Sequence, residues 1–467
     1  MAEQATEADL ESRGITDPDF RQLCAVVVAE MARLHVPGVA IGVLQGGREQ
    51  VAGFGVTNVE APVAVDPDTL FQIGSTTKTF TGTAAMRLVE AGTLDLDVPV
   101  RAYLPELALQ DEDVAARVTL RHLFNHTAGW LGDYFDDTGM GDDALAIIVG
   151  RMADLPQWTP LGQIPSYNNA AFYLAGRVLE VVTGKTYEAV IQELVLDPLG
   201  LTQSFFFAND CISRRTAIGH VVREGVPTVA RPWALARAAH AAGGISASVR
   251  DQLRYARFHL GDGRAPDGTR LLTRATMAAM QEPRTPAGSS FGAFGVTWMV
   301  KTLDGVKTVR HGGGTNGQLS AFIMAPERDF ALTILTNADR GGELHTGVVR
   351  WALRHYLNIG EPEPRPVALA ASALTPYAGE YHAALTDLAL TIEGDGLVMQ
   401  VTPKGGFPQR DSPPGPTPPP SRLALGEDDL VIALDPPFKD ARGEFVRDAD
   451  GTIGWLRFGG RIARRQG

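Results

Sequence analysis

The chain has 467 residues, 44% of them hydrophobic and 21% charged, with a formal net charge of −12. That length and usage suit two or three domains with sizeable cores and exclude wholesale disorder. The acidic balance argues against nucleic acid as a partner, and the one dense basic run, Arg457 to Arg465, is too short to change that. No apolar run reaches membrane-spanning length, so no membrane contact is expected. The acidic start, Met1-Ala2-Glu3-Gln4-Ala5-Thr6-Glu7, lacks the basic-then-apolar order of a secretory signal. The expected location is the cytoplasm, although a mature secreted form with its leader removed would read the same way. Cys24 and Cys211 match no metal or redox spacing and read as two buried thiols.

Residues 1–17 are polar and read as a flexible tail. Phe20, Leu23, Val27, Met31 and Leu34 then recur at three- and four-residue steps, which predicts an amphipathic helix over 18–34, stopped by Val36-Pro37-Gly38. Val39 to Leu44 reads as a strand, Gly46-Gly47 as a tight turn and Gln50 to Val56 as the returning strand. Residues from about 75 to 260 read as mostly helical, with a helix over 170–182. Strands return at Phe294 to Thr302, Thr308 to Gly312, Leu319 to Ala325 and Phe330 to Thr336, and a helix bearing Val348, Trp351, Leu353 and Leu357 follows. This order predicts an α+β domain over 18–360: an antiparallel sheet flanked by terminal helices, with a helical insertion over about 95–240.

Residues 361–366, Glu-Pro-Glu-Pro-Arg-Pro, form a stiff linker. Beyond it, 367–467 holds seven short alternating segments, at 379–382, 388–392, 397–401, 422–425, 430–434, 444–447 and 453–458. They predict a small all-β domain of barrel type. Its Pro-rich loop, Pro403 to Ser421, is expected to be mobile.

Three segments carry chemistry. Ser75-Thr76-Thr77-Lys78 opens a helix, placing Ser75 in the first turn, where free N–H groups favour an oxyanion, and Lys78 on the same face. A buried lysine of depressed pKa can take the serine proton. Tyr167-Asn168-Asn169 stands at a loop-to-helix junction, where the phenol can share a proton with Lys78 and Ser75. The Asn169 amide can donate to a substrate carbonyl and fix the lysine. Arg310-His311-Gly312-Gly313-Gly314 ends a strand, and its glycines let a substrate backbone approach. The Gly314 N–H, paired with that of Ser75, would form an oxyanion hole, and His311 would supply a donor or a titratable charge near Tyr167. Alone, Ser75-x-x-Lys78 reads equally well as an N-capping serine with a solvated lysine and the glycine segment as a Gly-rich hairpin, while Tyr167-x-Asn169 reads better as a capping asparagine beside a packed tyrosine.

In this order, Ser75-x-x-Lys78, Tyr167-x-Asn169 and His311-Gly312-Gly313 resemble the three boxes of the serine β-lactamase and penicillin-binding protein superfamily. The branch resembled is that of class C-like esterases and D-aminopeptidases, of peptidase S12 type. Leu120 to Gly129, Asp197-Pro198-Leu199-Gly200-Leu201 and Gly243-Gly244-Ile245-Ser246-Ala247 are similar to its supporting segments, so the likeness spans about 20–357. Leu374 to Tyr381 resembles the entry to the lipocalin-like domain that follows such hydrolases. The resemblance implies an acyl-enzyme on Ser75, catalytic roles for Lys78, Tyr167 and His311, an oxyanion hole at Ser75 and Gly314, and substrate contacts at Asn169, Gly312 and Gly313.

It also implies no cofactor, and a small ester, amide or D-amino-acid peptide as substrate. Relatives of this layout include acyl-transferring, macrocyclising thioesterases and non-enzymatic penicillin-sensing or filament-forming scaffolds. Oligomeric state is not legible. The family's third box usually opens with lysine, which binds a substrate carboxylate. His311 in its place disfavours β-lactam turnover. Other signals fail. Gly184-Lys185-Thr186 lacks the upstream glycine of a phosphate loop, Ile73 breaks a Gly-x-Ser-x-Gly elbow, and His122 and His126 read as packing residues rather than metal ligands.

Overall fold

The structure, a computed structural model, describes residue 11, residues 14–362, residue 367 and residues 371–466. Most of the expected tail (1–10, 12 and 13) and residues 363–366 of the expected linker lie outside the described residues.

Helix α1 (Pro18–Leu34) starts where the Asp17 side chain accepts from the Phe20 N–H at 3.0 Å and Pro18 presets the first turn. It ends where His35 turns left-handed. Its buried stripe of Phe20, Leu23, Val27, Val28, Met31 and Leu34 packs on β1 (Gly38–Gln45), which pairs with β2 (Arg48–Gly55). Along β1 the period of two is read out directly. Val39, Ile41 and Val43 join the core under the terminal helices, and Ala40 and Leu44 face the opposite core. Helix α2 (Thr77–Glu90) and α3 (Ala170–Thr183) sit on that opposite side with the rest of the helical insertion.

The sheet is completed by β3 (Thr285–Ala287), β4 (Gly292–Phe294), β5 (Met299–Leu303), β6 (Val306–Gly314), β7 (Leu319–Ala325) and β8 (Phe330–Thr336). Its order is β2-β1-β8-β7-β6-β5-β4-β3, antiparallel throughout, and α4 (Gly341–Leu357) packs beside α1. The run expected as one strand over 294–302 is two. Thr297 takes a positive φ of 65° and the Gly295 N–H donates to the Trp298 carbonyl, so the chain turns between β4 and β5. The mostly helical middle also contains short strands, Phe71–Gln72, Ser204–Phe205 and Ser246–Ala247, forming a small sheet next to the Gly74–Thr76 turn, and a hairpin at 220–229.

The C-terminal region is a closed antiparallel barrel of β9 (Gly379–His382), β10 (Thr386–Glu393), β11 (Gly396–Pro403), β12 (Ser421–Leu425), β13 (Leu430–Ala433), β14 (Arg442–Arg447), β15 (Ile453–Phe458) and β16 (Arg461–Arg465). Inward residues such as Tyr381, Leu390, Met399, Leu425, Val431 and Leu456 fill its interior as one apolar cluster. Strand β16, absent from the expected set, closes the barrel by pairing Tyr381 with Arg465 and Trp455 with Arg464. Cys24 and Cys211 are both buried as thiols. Among the described residues no helix is long and apolar enough to cross a membrane.

Candidate active site

Ser75 lies in a 3-10 turn (Gly74–Thr76) that runs straight into α2. Ser320 on β7 anchors that turn. Its hydroxyl donates to the Ile73 carbonyl at 2.7 Å, so it accepts from Thr76 Oγ1 at 2.9 Å. Against the other side of the turn runs the end of β6. A Cβ on Gly313 would collide with the Ile73 carbonyl and lie 2.6 Å from the Ser75 nitrogen. Only glycine allows this approach, which places the β6 edge and the Ser75 N–H on one side of a single small space.

Lys78 is fully buried, and its Nζ is 3.0 Å from Ser75 Oγ, 2.7 Å from Asn169 Oδ1 and 2.6 Å from the Ala242 carbonyl. Two of these partners are carbonyl oxygens, which only accept. A neutral amine gives its two protons to them and keeps its lone pair for the Ser75 hydroxyl. Burial, the largest cause, and the Arg461 charge hold the Lys78 pKa well below the ordinary lysine value, while Asp133 opposes the shift. Asn169 is oriented by its far end. Its Nδ2 donates to Asp133 Oδ1 at 2.8 Å, and because a carboxylate only accepts, the amide oxygen is turned to Lys78. This uses one of the two protons on the nitrogen expected to donate to substrate, and Asn169 also lines the cleft beside Ser75.

Tyr167 is buried, with Lys78 Nζ 5.1 Å from its ring centroid and His126 stacked on it at 4.4 Å. Its hydroxyl makes no well-aligned hydrogen bond among the described residues. Burial raises its pKa, and the neighbouring Ser75 hydroxyl lowers it in part. His311 is buried too. A carbonyl oxygen only accepts, so Nδ1, 2.6 Å from the Gly312 carbonyl, carries the proton, and Nε2 is left as an acceptor. Burial pushes the His311 pKa down to about 3. Of the two roles expected here, a donor or a titratable charge, burial disfavours the charge. His126 is likewise held neutral by burial. It accepts from the Asn168 N–H and serves as the floor under Tyr167.

These groups open into a cleft of about 490 Å³ lined by Ser75, Tyr167, Asn169 and Gly312 to Thr315. Phe135, Leu235, Phe291 and Met299 supply its apolar wall, and Leu385, Phe407, Pro408 and Arg461 bring the barrel to it. The Pro-rich loop expected to be mobile seats Phe407 edge-on against Phe135 at 5.0 Å. The β15–β16 turn, Gly459-Gly460, docks on the Tyr167 segment. The Tyr167 N–H donates to the Gly460 carbonyl at 2.9 Å, and any Cβ on Gly460 would strike the Phe291 ring. Arg461, next in the chain, pairs with the buried Asp133 and lies 5.0 Å from the Tyr167 ring centroid. Motif spacing did not single out Asp133, Phe135, Phe407 or Arg461. The signal within reach was the Gly-Gly turn between alternating segments, which marks a two-residue hairpin.

The chain belongs to the beta-lactamase family, whose model matches residues 23–354. Penicillin-binding protein 4 of Amycolatopsis lactamdurans is 35% identical over 360 residues, which cover 74% of this chain and 93% of that protein. Among solved structures, that of SurE with D-Leu superposes with a TM-score of 0.73 at 25% identity, covering 96% of this chain and 99% of the other. The octameric penicillin-binding protein homologue of Pyrococcus abyssi shares the fold, with a TM-score of 0.64 at 22% identity over 96% of this chain and all of the other.

Proposed function

We propose that this chain is a serine acyl hydrolase that forms an acyl-enzyme on Ser75 with small esters, amides or D-amino-acid peptides. The observation that carries the reading is the buried Lys78 amine, 3.0 Å from Ser75 Oγ with its other two contacts spent on carbonyl oxygens. In this reading the Ser75 proton passes to Lys78 as Oγ attacks the substrate carbonyl. The N–H groups of Ser75 and Gly314 stabilise the tetrahedral oxyanion, each donor contributing about 3 kcal/mol. Tyr167, neutral and buried, relays the proton to the leaving group. Gly312 and Gly313 leave the β6 edge open to the substrate backbone, Asn169 holds the lysine, and His311 acts as a neutral acceptor beside Tyr167. With no cation in the third box, a chromogenic cephalosporin is a poor substrate.

The test is intact-mass analysis of wild type and Ser75→Ala after exposure to a panel of nitrophenyl esters and D-amino-acid amides. One acyl adduct on wild type and none on the variant is the expected result. An adduct on Ser75→Ala, or none on wild type with any member, sinks the assignment.

A second reading, acyl transfer to an amine with peptide macrocyclisation as its extreme, is favoured by the barrel's position. Leu385, Phe407 and Pro408 wall the cleft, so an apolar amine acceptor can be held where water would otherwise enter. The D-Leu named with the SurE structure has a side chain of the kind this lining suits. A peptidyl thioester separates the readings by the ratio of cyclic to linear product. The intact set of catalytic side chains weighs against a purely scaffolding role.

A further inference from the structure

The barrel's interior is packed with its own side chains, so its contribution to function is on its outside, at the turn that meets the cleft. We infer that Arg461, at the start of the barrel's closing strand, is a positioning residue for acylation: through Asp133 and Asn169 it fixes the orientation of Lys78 and decides whether that amine is free to accept a proton. This rests on the reading of Lys78 as the base for Ser75.

The connection is continuous. Arg461 donates through both Nε and Nη2 to Asp133, the Nη2 contact being 3.1 Å. Asp133 accepts from Asn169 Nδ2 at 2.8 Å, and Asn169 accepts from Lys78 Nζ at 2.7 Å. The Asp133 side chain is 3% exposed, and among the described residues Arg461 is the cation paired with it. A buried carboxylate without its cation recruits the nearest available proton. Here that proton is on Lys78, one amide away.

The other groups facing Lys78 do not compete for this role. Ser75 and Tyr167 are neutral hydroxyls in the resting site, Asn169 does not titrate, and burial keeps His126 and His311 uncharged. The Asp133–Arg461 pair is therefore the charge balance that Lys78 feels. Its two members act on the amine with opposite sign, Arg461 lowering its pKa and Asp133 raising it.

The opposite signs give a test that a merely structural contact would not pass. The full chain is reacted with p-nitrophenyl acetate, a neutral ester, and the acylation burst is followed against pH for wild type, R461Q, D133N and the double variant. The Lys78 pKa sets the acid limb of the profile. In R461Q the unpaired Asp133 raises that pKa, and the limb moves about one unit to higher pH. In D133N the unbalanced Arg461 lowers it, and the limb moves to lower pH while the substituted amide's oxygen can still accept from Asn169. The double variant returns towards wild type.

Equal loss at every pH with an unmoved limb overturns the inference. So do shifts of the same sign in the two single variants, or a double variant that fails to return. If R461Q does not fold, D133N decides alone, and an unmoved limb in it is a refutation. Ser75→Ala separates the two levels. A burst retained there refutes the nucleophile, whereas a silent Ser75→Ala with unmoved limbs refutes only the role of Arg461.

Discussion

The cleft has two walls built on different length scales. On the hydrolase side, Ser75 and Lys78 are three residues apart on one helical turn, and Gly313 of β6 presses against that turn with no space for a methyl group. On the barrel side, Arg461 reaches Asp133 across 328 positions of sequence, and Phe407 reaches Phe135 from a loop. The first wall lies within one domain: beyond the Ser75–Lys78 turn, its contacts join Lys78 to Asn169 and Ala242, 91 and 164 positions away. The second depends on two domains being docked. Ser75 and Lys78 are held inside one domain, and part of their surroundings is supplied by the other.

That contrast can be attacked from the strongest effect downward. Lys78→Met removes the amine while keeping most of the buried volume, and burst acylation of a nitrophenyl ester should fall by roughly 10³- to 10⁴-fold. Gly313→Ala forces β6 away from Ile73 and Ser75. Loss of about 10²- to 10³-fold in kcat, with far-UV circular dichroism unchanged, is the expected signature of a displaced oxyanion donor. A near-wild-type rate would show that the local wall is more forgiving than its contacts imply.

Gly460→Ala drives the barrel turn off Phe291 and loosens the seat of Tyr167. Stopped-flow acylation should slow by roughly 10- to 100-fold, the scale of an ångström of misplacement. Phe407→Ala deletes one aromatic contact worth about 1 kcal/mol, so a rise of about fivefold in KM at unchanged kcat is expected from steady-state assays.

The effect with least bearing on the cleft is on stability. Burial pushes the pKa values of His259, His311 and His345 down to about 3. These groups are neutral in both states above their unfolded value of about 6.5. Below it the unfolded chain binds protons that the folded chain refuses, so stability is lost as pH falls from about 6.5 towards about 3. Scanning calorimetry should show Tm decreasing through that window, and His345→Gln should flatten the slope without touching the cleft.

The local wall was legible in the sequence and the long-range wall was not. Ser75, Lys78, Tyr167 and the glycines after His311 were legible because three short runs occur together in one order, although each alone reads as ordinary structure. Helix α1 and strands β7 and β8 were legible to the residue because their apolar periods are uninterrupted. The β4–β5 turn was hidden because Val296 and Trp298 are buried and keep the run apolar through it. Strand β16 was hidden for the opposite reason. Arg-Ile-Ala-Arg-Arg offers one residue to the barrel core, Ala463, and its arginines read as a basic tail. The residue type at 461 was visible, but its role depends on a barrel closure that no local pattern encodes. Residue type left His311 open as a donor or a titratable charge, and the burial that lowers its pKa is not encoded in the motif.

The interlock of Gly313 with Ile73 and Ser75 also limits how such a site can change its clientele. A lineage that changes substrate cannot do so by enlarging the strand edge at Gly313 or re-angling Ser75, since either would jam the turn. The variation has to be written in Phe135, Leu385 and the loop bearing Phe407, the parts of the cleft that meet across the domain boundary. Those positions are where a designer seeking a different substrate would place diversity, leaving the glycine run untouched.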